Sequence, residues 1–240
     1  MPNPLQRGHA MTQRTDARMA GVAYLSYIVF AMSSSILFAK SAAGNDISQK
    51  LSTLARMIST ARITVLLDLL QTVCALVLAV TLYQLVKRVN PTLALLAMFF
   101  RVGEGLLGFL PLLSKLELMR LATTATVGSV NAAANLSMAN ELLHRPDEVF
   151  SEFCFVVGGF LFSLLFLRGR LIPRWLAWIG VLTIGAQLIC VPLHVATLLP
   201  GSIINGMWLP ILLYEVPLGI WLIGKGAESP QSAPLPAQIS

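Results

Sequence analysis

The composition of this 240-residue chain is that of a membrane protein rather than a soluble domain. Hydrophobic residues make up 56% of it and charged residues only 12%, whereas soluble domains carry about 25% charged residues. The formal net charge is +6, but the basic residues flank apolar runs and form no stripe with interleaved aromatic residues. The composition therefore excludes an ordinary soluble domain and gives no indication of a nucleic-acid partner.

Six continuous apolar runs follow one another along the chain. A helix of about 20 apolar residues crosses the ~30 Å hydrocarbon core of a bilayer, and the alternating pattern of a membrane β-barrel is missing. We therefore predict an all-α, polytopic helical membrane protein with six transmembrane helices. The first run is too long for a signal peptide, so we expect an uncleaved helix. The predicted spans lie near residues 19–39, 62–86, 91–113, 149–168, 173–196 and 204–224.

Two of the connecting segments are longer than turns. Residues 40–61 have apolar side chains at helical spacing, with Ser48 as a candidate N-cap for a helix from Gln49 onward. Residues 114–148 contain a second helical stretch, NAAANLSMANELLH. We predict one or two extra interfacial helices in the outer loops, and the second could instead form a partial seventh span. The residues expected to share a face of the second helix are Leu136, Ala139, Leu142 and Leu143.

The orientation follows from the basic residues in the short loops. The segments VKRVNP and LRGRLIPR are the most basic tight connections, and such loops remain on the cytoplasmic side. An even number of spans then puts both termini in the cytoplasm, with the protein in the inner (plasma) membrane. We expect a cytoplasmic tail over 1–18, a single membrane domain over 19–226, and a disordered Pro- and Ser-rich tail over 227–240.

Arg101 and Glu104 lie in the middle of the third span. A charge at that depth costs about 2.5–3.5 kcal/mol on insertion scales. The two residues are three apart and share one helix face. One interpretation is a self-contained ion pair that lowers its own insertion cost. The other is a pair that faces a cavity and engages a ligand or a partner helix.

Three further ionisable residues lie in other spans. Asp68 is in the second span, His194 in the fifth and Glu215 in the sixth. Interhelical hydrogen bonding alone would explain neighbours such as Thr183 and Gln187, and His194 could be interfacial. All five ionisable residues fall in the middle or outer half of the bilayer, which predicts a polar cavity nearest the outer face. The candidate residues of this ligand-binding or structural polar network are Asp68, Arg101, Glu104, His194 and Glu215.

An intrahelical partner leaves several guanidinium donors of Arg101 unused. We therefore expect a second bond across helices, to Glu215 or to Asp68.

The usual motifs of catalysis are missing from the sequence. It contains no HExxH, no phosphate-binding glycine loop and no GxSxG. The three cysteines lie inside apolar runs, at spacings that suit neither disulfides nor zinc. We predict no catalytic residue, no cofactor and no metal site.

Four segments together resemble a known family. They are RMAGVAYL, FFRVGEGLLG, RGRLIPRWLAWIG and YEVPLGIWLIGKG. The chain resembles the bacterial integral-membrane family called domain of unknown function 4386. The family pattern includes the arginine and glutamate of the third span, here Arg101 and Glu104, and an acidic residue before a tryptophan, here Glu215 and Trp221. The resemblance implies a polytopic bacterial inner-membrane protein and brings no established activity.

Three classes of function remain open from the sequence. The first is a non-enzymatic protein that binds or moves a small solute or lipid-like ligand through a polar intramembrane cavity. The second is a membrane-embedded enzyme in which Glu104 or Glu215 is the general acid or base and Arg101 holds an anionic group. The third is a scaffold or accessory subunit. The lipid bilayer is the one partner that the sequence predicts, and the oligomeric state stays open.

Overall fold

The structure, a computed structural model, describes residues 4–125 and 132–227 of the chain. Helices account for almost all of this part, and no strand occurs in it, so the predicted all-α class is confirmed. Six helical segments are long and apolar enough to cross a membrane, by length and composition. The helices are α1 (Pro4–Ser41), α2 (Ile47–Arg56), α3 (Ile58–Val86), α4 (Pro91–Leu107), α5 (Phe109–Ala125), α6 (Ala132–His144), α7 (Val149–Gly169), α8 (Arg174–Val195) and α9 (Gly201–Gly224).

The six long helices form a closed ring in chain order. Helix α1 packs on α3, α3 on α4, α4 on α7, α7 on α8, α8 on α9, and α9 returns to α1. Neighbours in the ring run antiparallel; on α4 and α7, for example, Arg101 lies by Gly158 and Gly108 lies by Ser151. We call the end that carries Pro4, Gly224 and the loops 87–90 and 170–173 the terminal end. The distal end carries Ser41 and the loop 196–200.

The boundaries of the helices follow from local chemistry. Asn90 caps α4 by accepting a hydrogen bond from the backbone N–H of Leu93 at 2.9 Å, and Pro91 occupies the first helical position. The third predicted span continues beyond residue 113 but is divided at Gly108 into α4 and α5. The cap of α2 is Asp46, whose carboxylate accepts from the N–H of Gln49 at 2.7 Å. The prediction of Ser48 as the cap was therefore wrong.

Helices α2, α5 and α6 form a small layer at the distal end. Leu51, Leu54 and Leu118 are buried in its core. Of the face predicted for α6, Ala139 and Leu142 are buried, whereas Leu136 is exposed. Helix α6 has 13 residues, which covers about 20 Å at 1.5 Å per residue and is shorter than a bilayer core.

The terminal half of the ring is packed solid. Its core is built from small and aliphatic side chains, with Ala20, Leu82 and Leu165 among the fully buried ones. Two helix crossings depend on glycine. A Cβ atom added at Gly180 of α8 would lie 2.4 Å from Cζ of Tyr214 on α9, and one added at Gly21 would lie 2.6 Å from the carbonyl oxygen of Gly219. These close approaches leave no room for a ligand.

The outer surface of the ring is apolar. Large hydrophobic side chains are exposed along each of the long helices, which is the reverse of what water would favour and matches a lipid environment. Examples are Val29, Leu66, Phe99, Phe153, Leu182 and Leu213.

Candidate functional site

A cavity of about 1110 Å³ lies in the distal half of the ring. Small-molecule pockets usually measure about 300–1,000 Å³, so it is large enough for a drug-sized molecule. Every helix except α2 contributes residues to its wall, together with the loop between α6 and α7. Its lining residues all lie towards the distal end of their helices. The ring is therefore closed by packed side chains at one end and hollow at the other.

Arg101 and Glu104 form an ion pair at the base of the cavity. Nη1 of Arg101 lies 2.8 Å from Oε2 of Glu104, and both side chains are almost completely buried. The hydroxyl of Tyr27 on α1 donates to Oε1 of Glu104 at 2.7 Å. Glu104 lines the cavity and Arg101 does not. The pair is therefore compensated within one helix, and its acidic member is the one presented to the cavity.

Aromatic rings surround the guanidinium of Arg101. Its Cζ lies 4.8 Å from the ring centre of Phe155 on α7, 5.8 Å from that of Tyr24 and 5.9 Å from that of Tyr27. Its three nitrogens, 0% exposed, have no directed hydrogen bond among the described residues, despite the close contact with Glu104. Cation–π contacts worth about 0.5–2 kcal/mol each thus take the place of the expected bonds across helices.

The predicted partners of Arg101 on other helices are not found. Within the described part of the chain, neither Glu215 nor Asp68 forms an ion pair with Arg101 within 4.0 Å. That prediction was wrong because it counted acidic partners only. It overlooked the aromatic side chains of α1 and α7, which can neutralise a buried cation in part.

Asp68 has a different partner, Lys115 of α5. Nζ of Lys115 donates to Oδ2 of Asp68 at 2.7 Å, and the hydroxyl of Ser34 donates to Oδ1 at 2.5 Å. The same ammonium lies 3.2 Å from Oγ of Ser34 and 5.1 Å from the ring centre of Phe38. This second pair is half-buried and fastens α5 to α1 and α3 near the cavity wall.

Glu152 of α7 is a cavity residue that the sequence analysis missed. Its Oε1 accepts a hydrogen bond from Nε2 of Gln187 on α8 at 2.8 Å. Gln187 therefore links two helices, as the packing interpretation proposed. His194 also lines the cavity, and its Nδ1 donates to the carbonyl of Leu199 at 2.8 Å. This bond closes the turn that leads from α8 to α9.

Glu215 of α9 is buried, lines the cavity and has no partner. Its side chain is 3% exposed. No hydrogen bond or ion pair to its carboxylate occurs among the described residues. The hydroxyl of Tyr214, beside it in sequence, accepts from Ser163 at 3.1 Å instead. Glu215 is therefore the one predicted acidic site residue that forms neither a hydrogen bond nor an ion pair within the described part of the chain.

The charge balance of the lining is acidic. Six carboxyl groups line the cavity, against two fixed cations, Lys115 and Arg145. Lys115 pairs with Asp68, and Arg145 lies 3.8 Å from Asp147. Glu104 pairs with Arg101, which does not line the cavity itself. The carboxyl groups without an ion pair in the described part of the chain are Glu148, Glu152 and Glu215.

Two signals in the sequence could have identified the missed residues. Lys115 follows the predicted end of the third span by two residues, so it was assigned to an outer loop. Glu152 lies in the first turn of α7, where a carboxylate also favours the positive end of the helix dipole. Treating basic and acidic residues near the span ends as membrane residues would have included both.

The long apolar helices and their apolar exterior define a multi-pass membrane protein. The chain belongs to the family described as domain of unknown function (DUF4386), whose model matches residues 19–226, and the resemblance noted in the sequence is thereby confirmed. No curated protein and no solved structure matches the chain.

Proposed function

We propose that this membrane protein binds a small solute or lipid-like molecule in the distal cavity, as a carrier or as a membrane-embedded binding protein. The observation that carries the proposal is the contrast between a 1110 Å³ cavity with charged side chains in its wall at one end and a packed core at the other. A scaffold needs no such volume, because helix packing alone would fill it.

The proposed orientation follows the positive-inside rule, with both termini in the cytoplasm of a bacterial cell and the protein in its inner membrane. The basic loops 87–90 and 170–173 belong to the terminal end. The cavity then faces outward, and a ligand enters from the side opposite the cytoplasm.

The enzyme alternative receives less support from the geometry. It assigns Arg101 to an anionic group of the substrate, but Arg101 is enclosed by aromatic rings and does not line the cavity. Of the two carboxylates offered as general acid or base, Glu104 is already engaged by the hydroxyl of Tyr27 and the guanidinium of Arg101, which leaves this alternative Glu215.

Thiol labelling tests whether the cavity takes up solutes from water. In a background with Cys74, Cys154 and Cys190 replaced by alanine, single cysteines are introduced as Gln71→Cys and Val73→Cys. Gln71 lines the cavity, whereas Val73, two residues along the same helix, is exposed on the outer apolar surface. A charged, membrane-impermeant methanethiosulfonate reagent added to intact cells should modify the Gln71→Cys variant and leave the Val73→Cys variant unmodified.

Two controls calibrate the labelling. Asn45→Cys in the exposed α1–α2 loop should react fully, and Ala97→Cys in the packed core should not react. If Gln71→Cys is as inert as Ala97→Cys while Asn45→Cys reacts, the cavity is closed to water and the proposed binding function is wrong. If Gln71→Cys reacts only in inside-out vesicles, the proposed orientation is wrong, but the proposal of a water-accessible cavity is supported.

A further inference from the structure

The carboxylate of Glu215, which has no hydrogen bond or ion pair within the described residues, indicates the charge of the ligand. Burying an isolated carboxylate is costly unless it is paired or neutralised. Glu104 has Arg101 and Asp68 has Lys115, but Glu215, 3% exposed, has no partner among the described residues. Because it lines the cavity, a molecule in the cavity can supply the missing positive charge.

The wall beside Glu215 indicates the shape of the ligand. Trp208 lies seven residues earlier on α9, which places both side chains on one helix face about 10 Å apart. The indole is 39% exposed and packs at 5.5 Å on the ring of Phe155. Ile204 and Ile211 add aliphatic surface to the same wall. An aromatic face attracts a cation and an aliphatic wall attracts its apolar substituents.

From these two observations, and resting on the proposed function, we infer that the ligand is a monovalent organic cation with apolar substituents. Its charged centre lies against the carboxylate of Glu215, and its apolar groups lie against Trp208 and Ile211. Inorganic cations are disfavoured by this wall, because they need several oxygen ligands around them.

The aromatic cage around Arg101 also favours a cation over an anion. Arg101 and Glu104 compensate each other, so an ionised Glu215 gives this group of three buried side chains one excess negative charge. An anionic ligand would have to approach Glu104 and Glu215 without any contact to Arg101, which the rings of Tyr24, Tyr27 and Phe155 enclose.

Probes of equal shape and opposite charge test the inference on the full-length protein in detergent. Tetraphenylphosphonium is the cation, tetraphenylborate the anion, and triphenylphosphine oxide a neutral counterpart. Binding is measured by equilibrium dialysis and by slower labelling of the Gln71→Cys variant. The cation should bind saturably and slow the labelling, whereas the anion and the neutral compound should do so much less.

Variants connect the charge preference to one residue. Glu215→Gln should weaken cation binding by about tenfold or more, the equivalent of one charge-assisted contact, and Glu215→Asp should keep most of it. The matched control is Glu148→Gln, an exposed carboxylate of the same lining, which should change binding little. Elution as a single species in gel filtration shows that each variant is folded.

Two sources of the cation are separated by competition. A free ammonium compound such as tetrabutylammonium should displace tetraphenylphosphonium in every lipid mixture. If the natural cation is a lipid headgroup, phosphatidylethanolamine in mixed micelles should also displace it, whereas phosphatidylglycerol should not.

Equal binding of the anion and the cation, or an unchanged affinity in Glu215→Gln, would overturn the cation inference and leave the cavity proposal intact. Absence of binding by all three probes overturns it as well, and the labelling of Gln71→Cys then decides separately whether the proposed function survives.

Discussion

The two halves of the helix ring differ in how their interior is filled. In the terminal half, small residues let the helices approach closely, and the interior is filled with aliphatic side chains such as Leu82 and Leu165. In the distal half, the same helices diverge around a cavity, and their inward side chains include carboxylates and amides. The ring therefore has a packed base and a hollow upper part that holds the charged side chains.

The distal half also orders its charges by depth. The deepest pair, Arg101 and Glu104, is completely buried and compensated within one helix. The shallower pair, Asp68 and Lys115, is partly exposed and joins different helices. Glu215 shares the burial of the first pair but has no partner. Substitutions at these three places should therefore differ in their effect on the free energy of unfolding, and a substitution in the packed half provides the reference.

The largest effect is expected from breaking the buried pair. Glu104→Gln leaves the guanidinium of Arg101 enclosed without a counter-charge, which should lower the free energy of unfolding by about 3–5 kcal/mol. Unfolding by denaturant in detergent micelles measures the change. The double variant Arg101→Met, Glu104→Gln should recover much of the loss, because the guanidinium is removed together with its counter-charge. A double variant that is less stable than Glu104→Gln would contradict the compensation described here.

The next effect comes from the packed half. Gly180→Ala would place a Cβ atom 2.4 Å from Cζ of Tyr214, a fully enclosed ring. Such overpacking should cost about 1–3 kcal/mol, measured by the same unfolding assay. The matched control is Gly206→Ala on α9, where nothing lies within 4 Å of the added atom. It should be neutral or slightly stabilising, since alanine favours a helix. Equal losses in both variants would show that the crossing is not tight.

A smaller effect is expected at the shallow pair. Lys115→Met removes the contact with Asp68. The side chains of Lys115 and Asp68 are 18% and 17% exposed, so the free energy of unfolding should fall by about 1 kcal/mol. Arg120→Gln breaks the more exposed pair with Glu117 on the same helix and should have no measurable effect. A loss at Lys115 as large as that of Glu104→Gln would abolish the proposed ordering by depth.

The smallest effect on stability is expected at Glu215. Glu215→Gln removes a buried charge that has no partner to lose, so the free energy of unfolding should stay the same or rise. The result sharpens the contrast with Glu104→Gln, which makes the same chemical change at the same degree of burial. A strong destabilisation would reveal a partner for Glu215 within the protein and would remove the reason for assigning it to a ligand.

The sequence predicted the number of the long helices and most of their ends, because apolar length is a direct consequence of the bilayer thickness. It could not predict the break at Gly108, since a glycine inside an apolar run is compatible with a continuous helix. The tail predicted over 227–240 lies, from residue 228 onward, outside the described residues. The predicted tail over 1–18 falls largely within α1, which begins at Pro4.

The candidate site was predicted less completely than the fold. Asp68, Glu104, His194 and Glu215 all line one cavity, whereas Arg101 lies behind its wall. Depth along each helix can be read from residue numbers, which explains why the four cavity residues were predicted. The direction of the Arg101 side chain and the aromatic rings that cover it depend on the packing of α1 against α4 and α7. A single sequence carries little information about that packing.

The cage around Arg101 has a consequence for how the protein is made. Tyr24 and Tyr27 precede Arg101 in the chain, Glu104 follows it within one turn, and Phe155 comes three helices later, on α7. During synthesis, therefore, α4 reaches the bilayer with its counter-charge already attached and with two of its rings already in place. Arg101 therefore has its counter-charge without depending on a helix that is synthesised later. Phe155 then closes the cage when α7 joins α4.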